Sequence, residues 1–348
     1  MLRKGKKVKH PKKKDRREHA IVSAAIVLLV LLGMVVVALE WGQVKQVFLG
    51  QADWRLALLA LLLTAVSYSC LSYSFAAISR IFGVQLSRKD LFEIGFVSYA
   101  LSHLVASGGT AGYSLRVLLI KRRRLPVRDV LAASLFHSML NNLLLFVLVP
   151  IGLVYLLTSY PLPRNTAIGV GAVAGVLLLL IVLVAAVFFV APFRSAVLGI
   201  VGRAWRKVTR RSVERHLKDL DSTLRRAEVA IRNRPTLLIA PLVLVVADWA
   251  SAVAVLGFCF GALGELPEPG VLLTGFSIGV VIGLLSMVPG GLGVQDGSMA
   301  AVYTLLGVPF EQAALAAVLF RVVYYLIPFL VSLGFYRRLL RGESELTP

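Results

Sequence analysis

Long apolar stretches alternate along the chain with short basic ones. Residues 20–39, 56–79, 130–157, 167–190, 236–263 and 312–336 are each apolar for about the 20 residues that a bilayer crossing requires. Asp248 interrupts the fifth run and Arg321 the sixth. Two more apolar segments, 91–120 and 271–307, break in the middle at glycines. The first break reads Ser107-Gly108-Gly109-Thr110-Ala111-Gly112 and the second Pro289-Gly290-Gly291-Leu292-Gly293. The pattern predicts an all-α polytopic membrane protein with about six full spans and two glycine-broken re-entrant hairpins.

Charge sets the orientation. The formal net charge is +20, and it is confined to three stretches. Residues 1–19 carry +8, residues 116–129 carry +5 and residues 194–234 carry +8. If both glycine-broken segments return to the side they came from, all three stretches fall on one side, the cytoplasmic one by the positive-inside rule. A single crossing at 94–115 would instead put Lys121, Arg122, Arg123, Arg124 and the 194–234 loop outside. Parity does not separate a re-entrant hairpin from two short crossings at 271–307. Both termini are expected in the cytoplasm, with 1–19 and 341–348 as tails and 20–340 as one transmembrane domain. Within 194–234, Val213, Leu217, Leu220, Leu224, Ala227 and Ile231 form one apolar stripe. That helix is expected either on the membrane surface, where basic residues meet anionic lipid, or docked as a linker.

The halves repeat with opposite orientation, each reading span, span, broken hairpin, span. The first repeat is 20–157 and the second 167–336. Gly108–Gly112 faces Pro289–Gly293, and Leu131–His137 faces Leu315–Arg321. Inverted repeats with broken helices are a transporter construction, with substrate bound at the repeat interface.

Composition agrees. Hydrophobic residues make up 58% and charged residues 16%, too few charges for a soluble domain of this size and too apolar for disorder. Basicity interleaved with such runs argues against nucleic acid as partner. The two cysteines, Cys70 and Cys259, lie in apolar runs and fit no metal or redox spacing.

Bare backbone at membrane depth is tolerated where it lines a cavity or is buried in protein. Gly108, Gly109 and Gly112, and Pro289, Gly290, Gly291 and Gly293, are therefore expected at a substrate-binding cavity. The restarting helices would aim their N–H groups at an anion. The alternative is a tight helix crossing that needs small residues. Arg321 has Asp248 and Asp296 as candidate partners. It reads either as a phosphate contact, with Tyr324 beside it, or as a structural ion pair. Arg116 reads as a phosphate contact or as a positive-inside anchor. His137, Asn141 and Asp248 form a possible polar or proton path, or hydrogen-bonded structure, and Glu93 is expected at the interface. No metal spacing, cofactor motif or catalytic motif is present, and no cofactor is expected.

At PGGLGVQDG and LAAVLFRVVYYLIP the sequence resembles the lysylphosphatidylglycerol synthase transmembrane-domain family, which includes the membrane half of the multiple peptide resistance factor. Pro289, Gly290, Gly291, Gly293, Asp296 and Arg321 match the family's motif, and Gly109, Gly112 and Arg116 resemble its first-half counterpart. Many members carry an acid after the first glycine turn and a charged pair in the next span. This chain has Tyr113 and Ser114, then Phe136 and His137. The resemblance implies a flippase-like lipid translocase moving a phospholipid or lipid-linked anion in a bacterial inner membrane. The soluble transferase of two-domain members has no counterpart here, so no enzymatic activity is expected. A membrane-embedded transferase on a lipid or polyprenyl-phosphate donor, and a structural or regulatory membrane partner, are the alternatives. The sequence leaves the oligomeric state open.

Overall fold

A computed structural model describes residues 53–104, 115–116, 119, 127–209, scattered positions between 217 and 232, 235–286 and 288–341. The predicted span at 20–39 and the turn containing Gly108, Gly109 and Gly112 lie outside the described residues. All described residues belong to one compact unit, Ala52–Pro348. Among them the regular structure is entirely helical. The fold is all-α and polytopic, as the hydropathy pattern predicts.

Helix α1 spans Trp54–Ile81, α2 Arg88–Leu104, α3 Val127–Ser159, α4 Arg164–Phe189 and α5 Ala191–Thr209. A 3-10 turn, Pro235–Leu238, leads into α6, Ile239–Ala262. Helix α7 is Pro269–Leu285, and after a short turn at Pro289–Gly291 the chain resumes as α8, Val294–Leu305. Helix α9, Phe310–Arg321, passes through a π turn, Val322–Leu326, into α10, Ile327–Arg341. Five stretches are long and apolar enough to cross a membrane: Trp54–Ile81, Asp129–Ser159, Arg164–Phe189, Pro235–Ala262 and Phe310–Leu339. They match five of the six predicted runs. Helix α4 buries only Ala174 and leaves Ile168, Val176, Leu179 and Val182 uncovered. So continuous an apolar surface is stable against lipid rather than water.

The most extensive packing joins α1 to α6. Asp53 N–H donates to Ala262 O (2.9 Å), Ser67 Oγ to Asp248 Oδ1 (2.5 Å) and Ser74 Oγ to Pro241 O (3.1 Å). These three bonds keep one antiparallel register along the pair. Around it, α2 packs on α1 and α10, α7 on α3 and α8, and α9 on α6. At 17 residues α7 is about 25 Å long, and at 12 residues α8 is about 18 Å. Neither reaches across a hydrocarbon core of about 30 Å.

Candidate functional site

The turn between α7 and α8 is built on left-handed glycines. Gly290, Gly291 and Gly293 have φ of 62°, 59° and 74°, where a side chain is strained. A Cβ on Gly291 would also meet Gln295 Cβ at 3.1 Å. The turn leaves Gly290 O and Gly291 O outside any helical ladder, and Arg321 takes both: Nη1 donates to Gly290 O (2.8 Å) and Nη2 to Gly291 O (3.4 Å). The same guanidinium grips Asp296 in bidentate fashion, Nε to Oδ1 at 2.9 Å and Nη2 to Oδ2 at 2.8 Å. Asp296 in turn accepts from Gly293 N–H (3.2 Å), so its carboxylate occupies the N-terminal end of α8. Of the two acids that the sequence offered Arg321, Asp296 is the partner. The pair is about one-fifth exposed. Pro289 begins the turn.

Asp248 belongs to a second group of polar side chains. It is buried, and its Oδ1 accepts from Ser67 Oγ (2.5 Å); the Tyr324 hydroxyl shares its one proton between Ser67 Oγ (2.8 Å) and Asp248 Oδ1 (3.4 Å). Tyr324 is thus turned into the core and away from Arg321. Its neighbour Tyr325 faces the turn: Gln295 Nε2 donates to its OH (2.8 Å), and Arg321 Cζ lies 5.3 Å from its ring centroid. The π turn that holds both tyrosines has a local cause. Pro328 has no N–H to give Tyr324 O four residues back, and Ile327 N–H reaches to Val322 O instead. The Tyr68 hydroxyl donates to the released Tyr324 carbonyl at 3.0 Å. Because that hydroxyl is spent, His103 Nδ1, 2.8 Å away, must be the donor to Tyr68.

His137 anchors a third group. Ser74 donates to Pro241 O, so it accepts from His137 Nε2–H at 3.1 Å. His137 Nδ1 then accepts from the Tyr99 hydroxyl. Both ring nitrogens are used in a neutral, fully bonded imidazole. Asn141 O accepts from Trp249 Nε1 at 3.2 Å, and its buried side-chain Oδ1 lacks a hydrogen bond. Arg116 is buried: its guanidinium carbon lies 4.3 Å from the ring centroids of both Phe75 and Tyr99, and its Nε is unbonded. Glu93, expected at the interface, is 3% exposed and pairs with Arg338 of α10.

The structure therefore joins Arg321, Asp296, Gly290, Gly291 and Gly293 in one cluster and Asp248 and Tyr324 in another. His137 lies near Arg116 through Tyr99. Tyr68, Tyr99, Ser67 and Gln295 were not singled out from sequence, since isolated hydroxyls and amides in apolar runs give no spacing signal. The stripe Gly275, Gly279, Gly283 did carry one, at every fourth residue. A Cβ there would stand 2.3 Å from Tyr303, 2.2 Å from Met299 and 2.7 Å from Gln295 respectively, so α7 meets α8 on bare backbone.

These features define an integral membrane protein with a glycine-broken helix pair held by an arginine–aspartate clasp. The chain belongs to the lysylphosphatidylglycerol synthase TM region family, whose model matches residues 20–332. It is 22% identical over 318 residues to a UPF0104 membrane protein of Methanothermobacter thermautotrophicus, covering 86% of this chain and 90% of that one. A UPF0104 membrane protein of Pyrococcus horikoshii is 21% identical over 324 residues, 88% of this chain and 94% of the relative. The phosphatidylglycerol lysyltransferase of Staphylococcus aureus is 33% identical over 86 residues, 25% of this chain and 10% of that protein.

Proposed function

We propose that the protein is a lipid translocase, moving a phospholipid or lipid-linked anion between leaflets through a cavity between inverted repeats. The observation that carries the reading is the α7–α8 pair. An apolar helix and a shorter one of mixed character, neither long enough to cross, meet at a polar backbone turn, and such backbone at membrane depth belongs beside a cavity or inside protein. On this reading 271–307 is a re-entrant hairpin entering from outside, and 91–120 its counterpart from the cytoplasm.

Register supports the repeat. Ser67 and Asp248, 181 positions apart, bond each other on the paired helices α1 and α6. The same spacing separates Gly109 from Gly290 and Gly112 from Gly293. Equivalent residues in contact mark a two-fold axis, and α2 against α10 mirrors α7 against α3. The Arg321–Asp296 clasp keeps the second turn open for the headgroup. Arg116, stacked on rings with its Nε unbonded, is the cation placed for the phosphate.

The membrane is a bacterial inner membrane with both termini cytoplasmic. Anionic lipids are the expected partners of the basic stretch 194–234, where Arg203 and Lys218 flank a cavity of about 550 Å³. The chain has no catalytic role in this reading.

Leaflet exchange in proteoliposomes tests it. Headgroup-labelled anionic, zwitterionic and cationic phospholipids are followed with a membrane-impermeant quencher. The expected result is movement of an anionic lipid that Arg116→Gln slows at least tenfold, with the variant still monodisperse. No movement of any lipid, by protein shown to be folded, would overturn the reading.

A further inference from the structure

Asp248 is 2% exposed. Only hydroxyls bond it among the described residues, Ser67 from α1 and Tyr324 from the π turn. The titratable groups facing it are Tyr68 and Cys70 of α1, Tyr99 and His103 of α2, and Tyr324 and Tyr325 of the π turn. None of these is a permanent cation: His103 is an imidazole whose Nδ1 donates to Tyr68, and the others are phenols and a thiol. Arg321 is committed to Asp296 and the glycine carbonyls, and Arg116 lies between Phe75 and Tyr99.

A carboxylate cut off from water without a counter-charge is costly, and an ionisable group at membrane depth is by default a functional one. The described residues hold no cluster of three or more His, Cys, Asp or Glu for a metal, and two hydroxyls are too few oxygens for a hard cation. The smallest cation, a proton, fits.

We propose that Asp248 is a proton-binding site on the axis between the two halves, and that it couples lipid movement to a proton gradient. This rests on the translocase reading and adds its energy source. Ionised, Oδ1 accepts from both Ser67 and Tyr324 and draws α1, α6 and the π turn together. Protonated on Oδ2, the carboxyl keeps Oδ1 only as a neutral and weaker acceptor, so the charge-assisted bonds that hold α1, α6 and the π turn together weaken. The proton is taken up from one side and given up to the other, with no covalent bond made or broken elsewhere. A monoanionic headgroup moving with one proton carries no net charge, so the membrane potential does not oppose it.

Two readouts separate the site from the transport. In nanodiscs, infrared difference spectra between acid and alkaline buffer should contain the carbonyl stretch of a protonated carboxyl. That band should be lost in Asp248→Asn and shifted in Ser67→Ala, which keeps the carboxyl and removes its donor. In proteoliposomes, the steady-state leaflet ratio of labelled phosphatidylglycerol should shift roughly tenfold per unit of pH gradient for one proton per lipid. Asp248→Asn should abolish that dependence. A spectrum identical in wild type and Asp248→Asn would overturn the proton site. Lipid movement indifferent to the proton gradient, or driven by a sodium gradient instead, would overturn the coupling while the translocase reading stands. A titrating Asp248 band with no lipid movement would sink the translocase reading and support the proton site.

Discussion

Arg321 makes two bonds to Asp296 and two to backbone carbonyls from one guanidinium. A lysine offers one ammonium and no fork, so it cannot hold both the acid and the turn. Arg321→Ala leaves Asp296 and two turn carbonyls without their donor, and should destabilise the protein by on the order of 3 kcal/mol. Arg321→Lys should recover less than half of that. Thermal unfolding in detergent, followed by size-exclusion fluorescence, reads both. The ion-pair reading of Arg321 was legible in the sequence, because an arginine deep in an apolar run must find a partner. That the partner is Asp296 was not decided there, since Asp248 is as near the middle of its own span. Only the fold brings α8 rather than α6 to Arg321. Tyr324 and Tyr325 were equally undecidable: a one-residue difference on a π turn sends one to the core and the other to the turn.

Helix α8 sits on α7 through glycines. Gly279→Ala would put a Cβ 2.2 Å from Met299 Cγ, a clash with the flexible part of that side chain, and 3.3 Å from its Cα. The substitution should cost about 1–3 kcal/mol. Met299→Ala, by removing the Cγ, should recover much of the loss when combined with it, which a double-mutant thermal-stability cycle measures. The π turn makes a second prediction at this scale. Tyr68→Phe deprives Tyr324 O of the donor that Pro328 made necessary, at a cost of about 1–3 kcal/mol. In a Pro328→Ala background, where the backbone can supply an N–H, that cost should shrink. Equal penalties in the two backgrounds would mean that the proline does not set the turn. Five spans were legible from run length alone. The π turn was not, because its cause, a proline two residues beyond it, reads equally well as a simple kink.

Across the whole molecule, ion pairs fasten segments far apart in sequence. Glu93 on α2 meets Arg338 on α10, and Arg194 at the start of α5 gathers Asp221 (2.8 Å) and Glu228 (2.9 Å) while donating to Phe188 O (3.1 Å). Burial alone would disfavour the Arg194 charge, but the bonds it donates to Asp221 and Glu228, and their negative charge, more than offset it and hold its pKa above the ordinary value. Leu224 is buried and Leu217 approaches Gly202, so these two members of the predicted stripe face protein. Arg194→Ala should release Asp221 and Glu228, and limited trypsin digestion should then cut at the neighbouring Lys218, Arg225 and Arg232 several times faster than in wild type. The charge runs gave the loops away in the sequence. The acids hidden inside a basic segment did not stand out, because within a strongly positive stretch they look like solvated exceptions.

The clasp also constrains how this protein can vary. Arg321 answers to a carboxylate on another helix and to two carbonyls that only left-handed glycines present in that direction. The positions 290, 291, 296 and 321 therefore form one unit of heredity: a change at any of them removes the reason for the others. In a library randomised at all four and selected for folded protein, the survivors should either keep the whole set or replace it with a turn of different geometry, with few mixtures between.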